Sequence, residues 1–439
     1  MSTFPLTNAV LLRNATLPRA VTHGAPEDDS DLVKADILIE DGRIAAIGAS
    51  DSLTVPEGAA RWDCRGGLVL PAFADIHTHL DKGHIWPRRD NPDGSFMGAL
   101  LAVAADREAR WSAEDVARRM DFSLRTAYAH GTAAIRSHLD SVPPQQEITW
   151  PVFAAMRDKW AGRIELQAVS LMGPDNLLDK PTLRRIAEMT KRFGGVLGGA
   201  IASHPDSLAA MRNAVDVAGE LGLDIDIHAD ETLDPASDTL LHLADAVLES
   251  GYRGKVLAGH CCVLSVQDER TVRTTIERVA QAGIGVVSLP MCNMYLQHRR
   301  NDAETLTPRY RGVTLVNELK AAGVNVALAS DNTRDPFYAY GDLDALEVFR
   351  EGARIAHFDH PQAGAWDWLR SVTSAAAEIA GFGHKAQIAV GGPADLVLVD
   401  ARSWTELNAR PQADRIVLRR GAAIDTSLPD YRELDDLMR

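Results

Sequence analysis

Cysteine is scarce in this chain. Four occur in 439 residues, Cys64, Cys261, Cys262 and Cys292, and no two are spaced as a CxxC pair. That excludes a disulfide-stapled scaffold and a thiolate zinc site, and a reducing cytoplasm is the compartment expected. Basic residues are in deficit too: 46 Lys and Arg stand against 61 Asp and Glu, for a net charge of −15. Such a chain repels a phosphate backbone unless a basic stripe exists. Only short pairs such as Arg299-Arg300 and Arg419-Arg420 occur, so no nucleic-acid partner is expected. Long apolar runs are also missing. The uncharged stretch 279–297 is broken by Gln281, Gly283, Pro290 and Asn293 and predicts a buried strand and its loop, not a membrane span. The opening Met-Ser-Thr-Phe-Pro has no basic region followed by an apolar one, so a secretory leader is not expected either.

What is present suits a large soluble globular protein. A 46% hydrophobic and 24% charged composition is ordinary for globular proteins, and the length suits a barrel with an accessory domain. Short β-like segments crowd both ends: Val10-Leu11-Leu12, 35–39, 43–47 and 67–70 early, 394–399 and 415–418 late. Alternation over 36–40 predicts a half-buried strand. Between the ends, eight short apolar runs (72–76, 132–135, 164–169, 195–201, 223–227, 255–258, 284–288 and 324–329) alternate with helix-like patterns such as 113–129, 205–221 and 315–322. Eight βα units predict an α/β fold, a (β/α)8 TIM barrel over 71–380. Residues 1–70 and 381–439 would together form a small β-sandwich domain; a doubly wound sheet is the other topology this alternation allows.

The chemistry-bearing residues sit where these runs end. The first closes with Asp75-Ile76-His77-Thr78-His79-Leu80-Asp81-Lys82. Residues two apart on a strand face one way, so His77 and His79 can share a centre. His228 closes the fifth run, in His228-Ala229-Asp230-Glu231. His260 closes the sixth, and Asp331 the eighth, in Ser330-Asp331-Asn332. In a barrel these ends converge on one mouth. Imidazoles and a carboxylate gathered there suit a shared divalent metal, Zn²⁺ or Fe²⁺. A bound divalent ion brings the pKa of water within reach of neutral pH. Glu231, three residues after His228, is a candidate to carry protons, and His260 to stabilise developing charge. His138 and Asp140 after the second run, Lys82 and His84 after the first, and His204 after the fourth are supporting candidates. Trp86 and Phe337 could wall a flat ring. Cys261 and Cys262 read as buried small residues.

The pattern resembles the amidohydrolase superfamily and, within it, the cytosine deaminase group. The segments that carry the resemblance are His77-Thr78-His79-Leu80-Asp81, Gly131 to His138, Leu166-Gln167-Ala168-Val169, His228-Ala229-Asp230-Glu231, His260 and Ser330 to Phe337. The resemblance implies that His77, His79, His228 and Asp331 hold one metal and that Glu231 carries protons. It further implies that His260 hydrogen-bonds the attacking water and that Gln167 reads the substrate's amide edge. Two-metal relatives use a carboxylated lysine on the fourth strand; Gly198-Gly199-Ala200-Ile201 offers none, which implies a single metal. The expected activity is hydrolytic deamination of a small nitrogen heterocycle of the cytosine type, in a cytoplasmic homo-oligomer without a membrane partner. The match loosens at Asn332, where the group has a second aspartate, and at Phe337, where it often has tryptophan. Both differences bear on substrate choice and leave room for a hydrolase of N-substituted amino-triazines, N-isopropylammelide-like, or of another cyclic amidine.

Overall fold

The computed structural model describes residues 4–5, 7–27, 29–299, 306–361 and 364–439. Its centre is eight parallel strands: β1 (Phe73–Thr78), β2 (Thr132–Asp140), β3 (Glu165–Leu171), β4 (Leu197–Ile201), β5 (Ile225–Ala229), β6 (Val256–His260), β7 (Gly285–Ser288) and β8 (Val326–Leu328). Each apolar run read from the sequence is one of them. Strands β1, β2, β5 and β6 are buried along their whole length. This is why they read as unbroken apolar runs and not as alternating ones: helices cover one face and side chains fill the other.

The strands form a three-stranded sheet, β1-β2-β3, and a five-stranded sheet, β4 to β8 in order. The two sheets touch at both edges. At one seam Val196 pairs in parallel with Val169, its N–H donating to Ala168 at 2.9 Å. At the other, Asp331 pairs in parallel with Thr78, and its N–H donates to the His77 carbonyl at 2.9 Å. Ser330 strengthens this second seam by donating from N and Oγ to the buried Asp75 carboxylate at 3.1 and 2.5 Å.

Helices fill the connections, and local signals set their ends. The helix Ala113–His130 starts at Ser112, whose side chain accepts from Asp115 N, and stops at Gly131 with φ 100°, a left-handed turn that suits glycine. Thr132 then opens β2. The stretch 279–297 differs from expectation: β7 is followed by a helix, Pro290–Leu296, in place of a loop. Proline at the first helical position presets φ and loses no hydrogen bond there. Among the described residues no helix is long and apolar enough to cross a membrane.

Strands from the two chain ends share one eight-stranded sheet. Its order runs Ala422–Ala423, Ile416–Arg419, Leu396–Val399, Leu68–Pro71, Ala9–Pro18, Leu32–Glu40 and Arg43–Gly48, with Ala60–Asp63 also beside Ala9–Pro18. A two-stranded pair, Thr22–His23 with Ile388–Ala389, accompanies it. The strand Leu32–Glu40 is buried throughout 35–39 and not on one face only. Asp36 can lie inside because its carboxylate accepts from Asn14 N and Asp51 N at 3.0 and 2.9 Å, which removes the cost of an unpaired buried group.

Candidate active site

At the C-terminal ends of these strands, side chains from five of them meet. His77 and His79 come from the end of β1, His138 from β2, His228 from β5 and His260 from β6, and Asp331 follows β8; all are buried. The Nε2 atom of His228 lies 3.1 Å from that of His77 and 3.2 Å from that of His79. Asp331 Oδ1 is 3.2 Å from His79 Nε2. The backbone bends sharply to aim two of these groups inward: φ is 69° at His260 and 64° at Asp331, a left-handed conformation that non-glycine residues adopt at some cost.

Burial sets the protonation of the cluster. It pushes the pKa of His77, His79, His138 and His228 well below the usual histidine range, so these rings are neutral and keep a lone pair. It raises Asp331 to about 8. The arrangement is poorly satisfied by its own hydrogen bonds. The Nδ1 atoms of His77, His79 and His228 have no hydrogen-bond partner among the described residues, and the Asp331 carboxylate is met by the Cys292 thiol, a weak donor, which is expensive at this depth. A divalent cation fits this donor set: neutral imidazoles and a carboxylate are its ordinary ligands. Two geometric groupings bring ligand atoms within 4.8 Å of one another, His77 with His138 and His228, and His77 with His260 and Asp331.

His260 is set apart by its second partner. Asn293 Nδ2 lies 2.9 Å from His260 Nδ1; with the amide nitrogen as donor, the ring proton sits on Nε2, which then donates. Glu231 Oε1 stands 3.4 Å from His260 Nδ1. Burial, and then the Asp331 charge, raise the Glu231 pKa well above the usual carboxyl range. A carboxyl that keeps its proton is what a general acid needs.

These groups open onto a cavity of about 720 Å³. Glu231, His260, His228 and Asn332 lie on its polar side, and Leu100, Leu171, Met172 and Phe337 on its apolar side. Lys82 also lines it, buried, with Nζ 3.0 Å from Asp140 Oδ1. Burial works against the Lys82 ammonium, but Asp140 and Asp81 outweigh it and leave its pKa raised.

A profile of the Amidohydrolase family matches residues 162–421. A pterin deaminase of Rhizobium rhizogenes (strain K84) is 54% identical over 429 residues, 98% of this chain and 96% of that protein. The chain belongs to the amidohydrolase family. Two solved structures resemble the amidohydrolase along nearly its whole length. A 5-methylcytosine deaminase from Klebsiella pneumoniae, liganded with 5-fluorocytosine, aligns with TM-score 0.78 and 26% identity, covering 96% of this chain and 98% of that one. An N-isopropylammelide isopropylaminohydrolase from Burkholderia multivorans aligns with TM-score 0.74 and 27% identity, covering 96% and 100%. The amidohydrolase is a hydrolytic deaminase, an enzyme of carbon–nitrogen bonds other than peptide bonds.

Of the residues singled out in the sequence, the fold of the amidohydrolase brings together His77, His79, His228, His260, Glu231 and Asp331, with Asn332 and Phe337 on the cavity wall. Gln167 requires correction. Its Oε1 accepts from Arg136 Nε and Nη2 at 3.0 and 2.8 Å, and it is not among the residues lining the cavity. Arg136 is fixed in turn by Asp226 at 2.8 Å, so Gln167 serves a buried polar layer beneath the histidines. Lys82 and Asp140 belong to the cavity wall. His84 packs its ring 4.8 Å from Phe122, and neither it nor Trp86 lines the cavity. His204 is partly exposed and accepts from Asp206 N at 3.1 Å. Two residues carry more than the sequence suggested. His138 places its ring 4.0 Å from His77 and 4.5 Å from His228. Asn293 fixes the His260 tautomer; a lone asparagine in an uncharged stretch gave no signal of that.

Proposed function

We propose that this amidohydrolase deaminates a fused pyrimidine of the pterin class, replacing the exocyclic amine with oxygen and releasing ammonia. The observation that carries the reading is the cavity of about 720 Å³ beside Glu231 and His260. It lies within the range of roughly 300–1,000 Å³ usual for small-molecule sites, and apolar side chains such as Leu171, Met172 and Phe337 line it, which suits a bicyclic ring. The 54% identity to a pterin deaminase over nearly the whole of both chains supports the same choice over cytosine. We read the two parallel sheets, joined at both seams, as one (β/α)8 barrel over 71–380. The ends, 1–70 and 381–439, form the accessory β domain, and the enzyme works as a cytoplasmic homo-oligomer.

His77, His79, His228 and Asp331 would hold one divalent metal, zinc or ferrous iron, whose Lewis acidity lets water act as a nucleophile at neutral pH. The remaining work falls to the chain's own groups. The Asp331 carboxylate takes a proton from the attacking water. His260 donates from Nε2 to the oxygen that is adding to the ring. Glu231, protonated at rest, gives its proton to the ring nitrogen beside the attacked carbon, so that charge does not build up on the ring. A second proton transfer to the amine lets the C–N bond break, and ammonia departs as the new carbonyl forms. His138, tilted against His77 and edge-on to His228, holds their rings in place.

The test is an ammonia-release screen of the metal-loaded enzyme against pterin, cytosine, isocytosine, creatinine and amino-triazines. Pterin is expected to be converted fastest, to the dioxo ring, as read by absorbance. Preference for cytosine would move the reading to a single-ring substrate. Release of isopropylamine from N-isopropylammelide as the best reaction would move it to the triazine hydrolases.

A further inference from the structure

We propose that Lys82 is the residue that reads the carbonyl oxygen on the pyrimidine ring of the substrate. The inference rests on the reading of the site as one for an amino-oxo fused ring.

The geometry points to a held donor and not to a loop lysine. Lys82 is only 4% exposed, yet it lines the cavity. Its Nζ sits 3.0 Å from Asp140 Oδ1. Asp140 is itself fixed: its Oδ2 accepts from Arg107 Nη1 at 2.6 Å, and its N–H donates to Asp81 Oδ2 at 2.7 Å. On the cavity side the Phe337 ring centre lies 5.7 Å from Nζ, so the same wall that would carry a flat ring also carries the cation. An ammonium has three N–H donors. Among the described residues Asp140 is the one hydrogen-bond acceptor for Nζ. A buried charge with donors to spare is costly unless something accepts from them, and the cavity is where an acceptor can arrive.

The reaction supplies that acceptor. Water adds to the carbon bearing the amine, and electron density moves onto the ring nitrogens on either side. In a 2-amino-4-oxo ring one of these nitrogens is conjugated with the carbonyl, whose oxygen therefore gains negative charge as water adds. A donor preset in a dry wall stabilises that oxygen more in the transition state than in the bound ground state. Glu231 and Lys82 then divide the ring: the carboxyl protonates the nitrogen on one side of the reacting carbon, and the ammonium holds the oxygen beyond the other.

The experiment compares pterin with 2-aminopteridine, which lacks the ring oxygen, in metal-loaded wild-type enzyme and in Lys82→Met and Lys82→Gln, each checked for metal content and circular dichroism. The wild type is expected to prefer pterin. In both variants the ratio of kcat/KM for pterin over 2-aminopteridine is expected to fall by roughly 10–100-fold, the scale of a hydrogen bond to a charged group. An equal loss on both compounds, or an unchanged ratio in whichever variant folds and holds metal, overturns the assignment of Lys82 while leaving the proposed function standing. Failure of the wild type to release ammonia from either pteridine ends the proposed function, and this inference with it.

Discussion

His77 and His228 are 151 residues apart in the chain, yet their Nε2 atoms stand 3.1 Å apart. Burial keeps both rings neutral, and Asp331 lies buried beside them with the Cys292 thiol, a weak donor, against its carboxylate. Such a cluster gains more from a shared cation than from its own contacts. His228→Ala is therefore expected to lose its metal, as measured by elemental analysis of the purified variant. A full complement would remove His228 from the ligand set. Chelation of the wild type is expected to lower Tm, because the ion binds the folded chain and not the unfolded one.

Glu231 has a pH signature. Its pKa is raised, first by burial and then by Asp331. A carboxyl with a raised pKa keeps its proton to higher pH, so the donating form is complete at low pH and lost as pH rises through that value. The wild-type kcat is expected to decline on the alkaline side with this ionisation. Glu231→Gln should retain its metal, fall by about 10²-fold or more in kcat and lack that limb. Near-normal turnover with an unaltered profile would take Glu231 out of the reaction.

The strands and the histidines were legible for one reason. A parallel strand buried on both faces leaves an apolar run, and a polar residue ending such a run stands out against it; His228 and Asp331 are both of this kind. Gln167 misled because it lies inside such a run: position along the strand does not reveal depth, and Gln167 sits one layer below the mouth, bound to Arg136. Lys82 was ambiguous for the opposite reason. It follows a strand end, where a solvated loop is the ordinary expectation, and only the fold shows Asp140 and Phe337 closing around it. Asn293 was invisible because its role depends on a helix meeting His260 from another part of the chain.

Asn332 is expected to answer substitution differently from its sequence context. Asn332→Asp would seem to restore a carboxylate facing the leaving amine. The Asn332 side chain, however, donates from Nδ2 to Asp335 Oδ2 at 2.7 Å, and burial already pushes Asp335 up to about 6. The variant would lose that donor and set two buried carboxylates against each other. Because the folded pKa of Asp335 lies above its unfolded value, its ionisation opposes stability as pH rises through about 6, and a second carboxylate deepens that loss. Asn332→Asp is expected to cost on the order of 1–3 kcal/mol at pH 8 and less at pH 5, as read from thermal melts. The ratio of cytosine to pterin turnover should stay flat; a clear rise in it would show that position 332 does face the amine.

Gly259 supplies a last prediction, at a position with no side chain to offer the site. It precedes His260 on β6, and a Cβ built on it would stand 2.8 Å from His77 Cε1 and 3.0 Å from His77 Nδ1. These are ring atoms on a buried side chain packed against His138 and His228, so the ring cannot swing away freely. Gly259→Ala must shift His77, and the shift falls on the atoms that would bind metal. A misplacement of about 1 Å can cost around 10²-fold in rate. The variant is expected to fold, to bind metal more weakly in competition with a chromophoric chelator, and to recover part of its activity when metal is added in excess. Wild-type metal affinity in Gly259→Ala would show that the His77 ring has room to move, and that its position is not set by the missing side chain at 259.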